Sequence, residues 1–282
     1  MRRKSLGWLC VALLWMSAAH AREEPLWEAG FGVAMMSLPD YRGSDEGKTY
    51  ALPIPYFSYN GERFHIDRQG AHGDLIQGNN LWLDISMNLG PPAESDENEA
   101  RSGMPDLDPT VEIGPSLRWQ WWTSEDKNRS LTLYLPVRAV VATDFSHSHS
   151  IGWVFAPHVT YDVQNFGWNF GVSIGPVYAT EKYHDYYYQV NPEFATTARP
   201  VFDAEGGYSG LRATVSMSKR FPRFWIGAFL RYDDLHNVAF EDSPLMRRDD
   251  SLMAGIGISW IFVRSAQTVP ERRASADSAG GR

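Results

Sequence analysis

TVEIGPSLRWQWW, residues 110–122, decides the fold. Val111, Ile113, Pro115, Leu117, Trp119 and Trp121 fall on one parity, and Glu112, Gly114, Ser116, Arg118 and Gln120 on the other. Successive side chains of a strand point to opposite faces, so this stretch predicts a β-strand with one apolar and one polar face. The same alternation recurs over 27–35, 81–89, 131–141, 153–163, 168–178, 211–217, 224–232 and 252–262.

Segments of about ten alternating residues have the length of a tilted, bilayer-crossing strand. Trp27, Trp119, Trp121, Trp153, Tyr161, Trp168, Tyr178, Tyr232 and Trp260 cluster near their ends, as in the aromatic girdles of a membrane barrel. Short connections are expected at Asn60-Gly61, a two-residue hairpin signal, at 78–80, 123–129, 165–167 and 220–223. Longer ones are expected at 36–49, 91–109, 144–150, 180–207 and 236–249. With 62–77 split by a turn at 67–70, the count is twelve strands. The fold class is therefore all-β: an antiparallel transmembrane β-barrel of about 12 strands with short periplasmic turns, long extracellular loops and both termini on the short-turn side. The apolar parity would meet outer-membrane lipid and lipopolysaccharide, and the polar parity the lumen. A soluble β-sandwich explains the alternation equally well. It explains less well the strand lengths, the terminal aromatics and the loop asymmetry.

Composition is compatible with this reading. Mean hydropathy is −0.36, which argues against helical membrane spans but not against strands whose faces average out. Arg2, Arg3 and Lys4 precede a short apolar run, and Ala19-His20-Ala21 forms a small-residue cleavage site, so residues 1–21 read as a signal peptide cleaved after Ala21. Cleavage leaves 23 basic against 34 acidic residues, a net charge of −11. The chain's single cysteine is Cys10, inside that signal, which removes disulfides, Cys–zinc sites and Cys nucleophiles from the mature chain. Residues 22–263 are expected to form the barrel. The polar tail 264–282 lacks an apolar pattern and is expected to be disordered.

Candidate functional residues fall in two groups. Glu112, Arg118, Arg138, His158, Asp162, Arg212 and Arg231 lie on the inward parity, with Glu28, Asp84 and Asp233. They could line a pore or ligand pocket, or fill a small barrel with ion pairs, and filling is favoured at this strand number. Tyr183, His184, Asp185, Tyr186, Tyr187 and Tyr188 lie in the longest connection and offer either an aromatic binding surface or packing over the barrel mouth. His147 and His149 share a strand face without an evident third metal ligand. No sequence pattern sets a serine, a base and an orienting group together, so no catalytic residue, metal or cofactor is assigned. No P-loop, dinucleotide fingerprint or basic patch for nucleic acid is present.

PDYRGSD (39–45), LPIPYFSYNGERFHID (52–67), ARSGMPDLDPTVEIGPSL (100–117), YHDYYYQVNPEFATTARPVF (183–202) and GGYSGLR (206–212) resemble the MltA-interacting protein (MipA/OmpV) family of outer-membrane proteins, in order from Trp27 to Phe262. The resemblance implies a non-enzymatic outer-membrane barrel. It also implies a scaffold linking a murein lytic transglycosylase to a bifunctional murein synthase, although other relatives are adhesion- or antibiotic-related. The first alternative is a ligand-binding or permeability barrel, and the second an outer-membrane hydrolase. Three matching stretches fall in the long connections, away from the periplasm where a murein scaffold must act. Either the scaffold surface is small, or the orientation is inverted, or those loops serve something else.

Overall fold

The computed structural model describes residues 23–61, 64–67, 70–73, 80–144 and 146–270. The segment read as a signal peptide and residues 271–282 lie outside them. In chain order the strands are β1 (Glu23–Pro25), β2 (Trp27–Pro39), β3 (Gly47–Asn60), β4 (Phe64–Asp67), β5 (Gly70–Gly73), β6 (Leu81–Gly90), β7 (Thr110–Thr123) and β8 (Arg129–Thr143). They continue with β9 (Ser148–Phe155), β10 (His158–Asn165), β11 (Trp168–Ala179), β12 (Gly207–Arg220), β13 (Phe224–Asp234), β14 (Asp250–Arg264) and β15 (Thr268–Pro270). One helix, α1 (Glu181–Tyr188), lies in the longest connection.

Neighbouring strands pair antiparallel in sequence order, and β14 returns to β2. β8 pairs with β9 over its far half and with β10 over its near half, while β11 does the same from the other side. β9 and β10 therefore act as one staggered strand, and the barrel has twelve staves. The single strand expected over 153–163 is interrupted at Ala156-Pro157, because a proline nitrogen cannot donate to a ladder. Strands also run further than expected. β2 continues to Pro39 and β3 starts at Gly47, so the first long loop shrinks to 40–46, and the loop after β8 shrinks to 144–147.

The two faces meet different media. Phe31, Val33, Met35, Ile113, Val172, Leu230, Ile256 and Trp260 point outward and are exposed. Glu28, Asp84, Glu112, Ser116, Arg138 and Asp233 point inward and are buried. Closure removes most sheet edges and satisfies backbone groups between strands, as hydrocarbon requires.

Turn chemistry holds at Asn165↔Trp168, where Phe166 and Gly167 both take positive φ, as a two-residue type I′ hairpin demands. It does not hold at Asn60, which pairs with His65, so that connection is wider than two residues and lies partly outside the described residues. Part of the tail expected to be disordered is paired. β14 runs to Arg264, and Thr268–Pro270 pairs with Glu23–Pro25. Backbone bonds from Leu26 to Gln267 (2.8 Å) and from Ser265 to Trp27 (2.8 Å) continue the β2–β14 ladder into this ribbon. Backbone pairing, which composition does not report, orders it.

Candidate functional site: a capped, ion-paired lumen

Inward positions on facing strands bring acids and bases into register. Arg138 of β8 binds Glu112 of β7 at 2.7 Å and reaches Ser86 of β6 at 3.2 Å. Arg118 pairs with Asp84 at 3.1 Å and lies over the Trp82 ring at 4.8 Å. Arg212 pairs with Asp233 at 2.7 Å, and Arg220 with Glu28. His158 donates through Nδ1 to the Ala156 carbonyl at 2.9 Å and stacks on Tyr134. Among the described residues no ion pair within 4.0 Å is found for Asp162 or Arg231. The seven predicted lumen residues thus share one interior but not one cluster. Glu112, Arg118, Arg138 and Arg212 tie neighbouring strands, and the partners that complete them are Asp84, Ser86 and Asp233.

Above these pairs the long loops fold inward. Helix α1 lies against β9, where Tyr183 joins Val140, Ala142, Ile151, Val154, Val177 and Ala179 in a buried cluster. Gly152, with φ of +116°, admits it: a Cβ there would sit 2.3 Å from Thr180 Oγ1 and 3.0 Å from the Tyr183 nitrogen. At the other end of the helix the Tyr188 ring stacks on Phe240, 3.6 Å between centroids, within a second cluster holding Tyr41, Leu107 and Leu235. Tyr183, His184 and Tyr188 are buried, and Tyr186 and Tyr187 pack against the same clusters, so the tyrosines are turned into a cap.

Polar bonds lock the cap to three loops. The Tyr188 hydroxyl donates to the Arg42 carbonyl (2.9 Å), and that of Tyr41 to the Leu245 carbonyl (2.8 Å). Arg101 donates to the Tyr187 carbonyl (3.1 Å), and the Asp108 N–H to the Tyr186 oxygen (2.7 Å). Burial pushes the Tyr41, Tyr183 and Tyr186 hydroxyls up to about 12 and that of Tyr188 further, so all four stay neutral. Arg42, Arg101, Asp108, Tyr186–Tyr188 and Ser209 all lie in the stretches that carry the family resemblance.

At its centre is a grouping that sequence patterns did not reveal. His184 Nδ1 lies 2.6 Å from the Glu205 carbonyl, and Nε2 lies 3.1 Å from Ser209 Oγ. A carbonyl only accepts, so Nδ1 carries the hydrogen and Nε2 accepts the Ser209 hydroxyl proton. Arg42 donates to Ser209 Oγ at 3.0 Å and sits 3.6 Å from Asp233, which joins cap to wall. A serine beside an oriented histidine resembles a nucleophile and its base. Here both side chains have zero exposure and the serine oxygen is held from two sides, which suits a structural lock. Burial lowers the His184 pKa below its usual 6.5, so the ring is neutral near pH 7.

Fold and site together define a capped transmembrane β-barrel with an ion-paired interior. The chain belongs to the MltA-interacting protein MipA family, whose sequence profile matches residues 31–262. It is 26% identical over 259 residues to YiaT of Escherichia coli O157:H7, named as an outer membrane protein, covering 89% of this chain and 96% of that one. The YiaT of Escherichia coli strain K12 is 27% identical over the same coverage. Among solved structures, the COG4313 outer membrane channel of Pseudomonas putida F1 is similar at 11% identity and a TM-score of 0.45, covering 86% of this chain and 98% of that one.

Proposed function

We propose that this protein is a non-enzymatic outer-membrane scaffold, with the β1–β15 ribbon as the periplasmic seat for a murein lytic transglycosylase and, through it, a murein synthase. The family name supports the transglycosylase, and the naming of the YiaT relatives supports the outer membrane. The observation that carries the reading is the ribbon. It extends the β2–β14 pair past the barrel on the side of the short turns, which barrels place in the periplasm. The long loops that share the family resemblance then serve the cap, and no inversion of the barrel is needed. A non-catalytic role is supported by the enclosure of His184 and Ser209.

The test is capture of a purified lytic transglycosylase on detergent-solubilised protein, comparing the mature chain with one ending at Arg264. Retention on the first and loss on the second is the expected result. Equal retention would move the contact elsewhere, and no retention on either would remove the scaffold reading in favour of a permeability barrel, measurable as conductance.

A further inference from the structure

Strand β3 is paired along its whole length on one side only. Towards β2, thirteen pairs run unbroken from Trp27↔Tyr59 to Pro39↔Gly47. Towards β4, among the described residues, Tyr59 and Asn60 alone are paired. Ile66 is level with Tyr59, and Asp67 already faces Gly70 across the hairpin, so the β4–β5 pair turns back near the level of Phe57. Among the described residues, no strand pairs with 47–55 on that side. Across the gap, β6 is joined to β5 through Ala71↔Ile85, and residues 86–90 face the same opening.

The sequence of β3 fits this edge. Pro53 and Pro55 carry no N–H, yet the β2 ladder passes through both, so their nitrogens face the opening. Two of the backbone donors on that edge are thereby absent, which makes it a poor template for an added strand. The upper rim is closed: Tyr50 donates to the Pro92 carbonyl at 3.4 Å, the Glu99 N–H donates to Glu46 at 2.8 Å, and Lys48 pairs with Glu97.

Behind the opening the inner wall is apolar. Leu52 stands opposite Ala34 and shares its inward face, but Ala34 is 8% exposed and Leu52 40%. An added Cβ at Gly257 would meet Ile54 Cδ1 at 3.5 Å and Ala34 Cβ at 3.7 Å, ordinary contact distances, so Gly257 leaves room for a Cβ beside this apolar surface. The outward residues level with it, Phe31, Val33 and Met35, are exposed to the lipid band.

We propose that an acyl chain of a bilayer lipid enters sideways between β3 and β6 and lies against Leu52, Ile54, Ala34 and Gly257. An added strand is disfavoured by the prolines. A polar solute would find its partners across the lumen, at the ion pairs of β6–β8, and none on this wall.

Because Cys10 is the chain's only cysteine, single-cysteine forms of the mature chain carry one bimane probe each. Leu52→Cys is compared with outward Ala51→Cys and with buried, inward Ser116→Cys in phosphatidylcholine vesicles with or without mid-chain bromine. Heat-dependent gel mobility verifies that each is folded, and Ile54→Cys replaces Leu52→Cys if that variant does not fold. Brominated lipid should quench the Leu52 probe as it does the Ala51 probe, while sparing Ser116. Adding Gly257→Leu, which puts a side chain on that apolar surface, should relieve the quenching at Leu52. Quenching at Leu52 by aqueous iodide alone, or by neither agent, would overturn the proposal.

Discussion

His184 is fixed by two hydrogen bonds, to the Glu205 carbonyl and the Ser209 hydroxyl, and lies near the Arg42 charge. Protonating it would put a cation beside Arg42 in a buried site and cost the hydrogen bond accepted by Nε2. Its folded pKa lies below the unfolded value of 6.5, so its contribution to cap stability is complete above pH 6.5 and is lost as pH falls below that value towards the folded pKa. Hydrogen exchange across 181–189 should therefore quicken as pH falls from 7.5 to 5, after correction for the intrinsic rate. His184→Gln should flatten that response, and a flat wild-type profile would contradict the assignment. Lumen pairs behave differently. Glu112→Ala leaves Arg138 buried without its carboxylate and should cost about 3–5 kcal/mol. Glu112→Leu combined with Arg138→Met should recover most of that loss, read by urea unfolding in bilayers. The pairs that Glu112, Arg118, Arg138 and Arg212 make join residues of the one parity that the alternation marks as polar. The link from Asp233 through Arg42 and Ser209 to His184 was not legible in the sequence, because its members lie far apart in sequence and meet only when loops close.

At the scale of elements, α1 and the strands show two kinds of legibility. A period of two is a local property, so strands could be found from their own residues. Helix α1 has only eight residues, too few to be stable by itself, and it exists because β9 offers it a surface. Gly152 is the point where that surface yields. Gly152→Val should expel α1 while leaving the barrel closed. The expected signature is faster proteolysis within 180–206 with an unchanged heat-dependent gel shift, and unchanged proteolysis would show that the helix docks without this contact. The ribbon of β1 and β15 was missed for the same reason. Its three pairs depend on the barrel bringing two distant ends together.

For the whole molecule, the medium decides which substitutions are tolerated. Ile256 faces lipid near the middle of β14, and Ile256→Arg should cost about 2–4 kcal/mol at the bilayer midplane. Urea titration in vesicles measures this; a loss below about 1 kcal/mol would place Ile256 at an interface instead. The ion pairs tie strands inside the barrel, the cap lies above them, and the edge of β3 lies on the flank. By itself the sequence determined the barrel of about twelve strands, its lipid-facing parity and the end at which the long loops gather, because alternation, strand length and turn residues act over a few neighbours. Only the tertiary structure decided that the tyrosine loop turns inward, that His184 and Ser209 are locked, that Glu23–Pro25 pairs with Thr268–Pro270, and that β3, among the described residues, is paired along its length on one side only. Each of these depends on contacts between segments tens to hundreds of residues apart, which only closure of the barrel brings together.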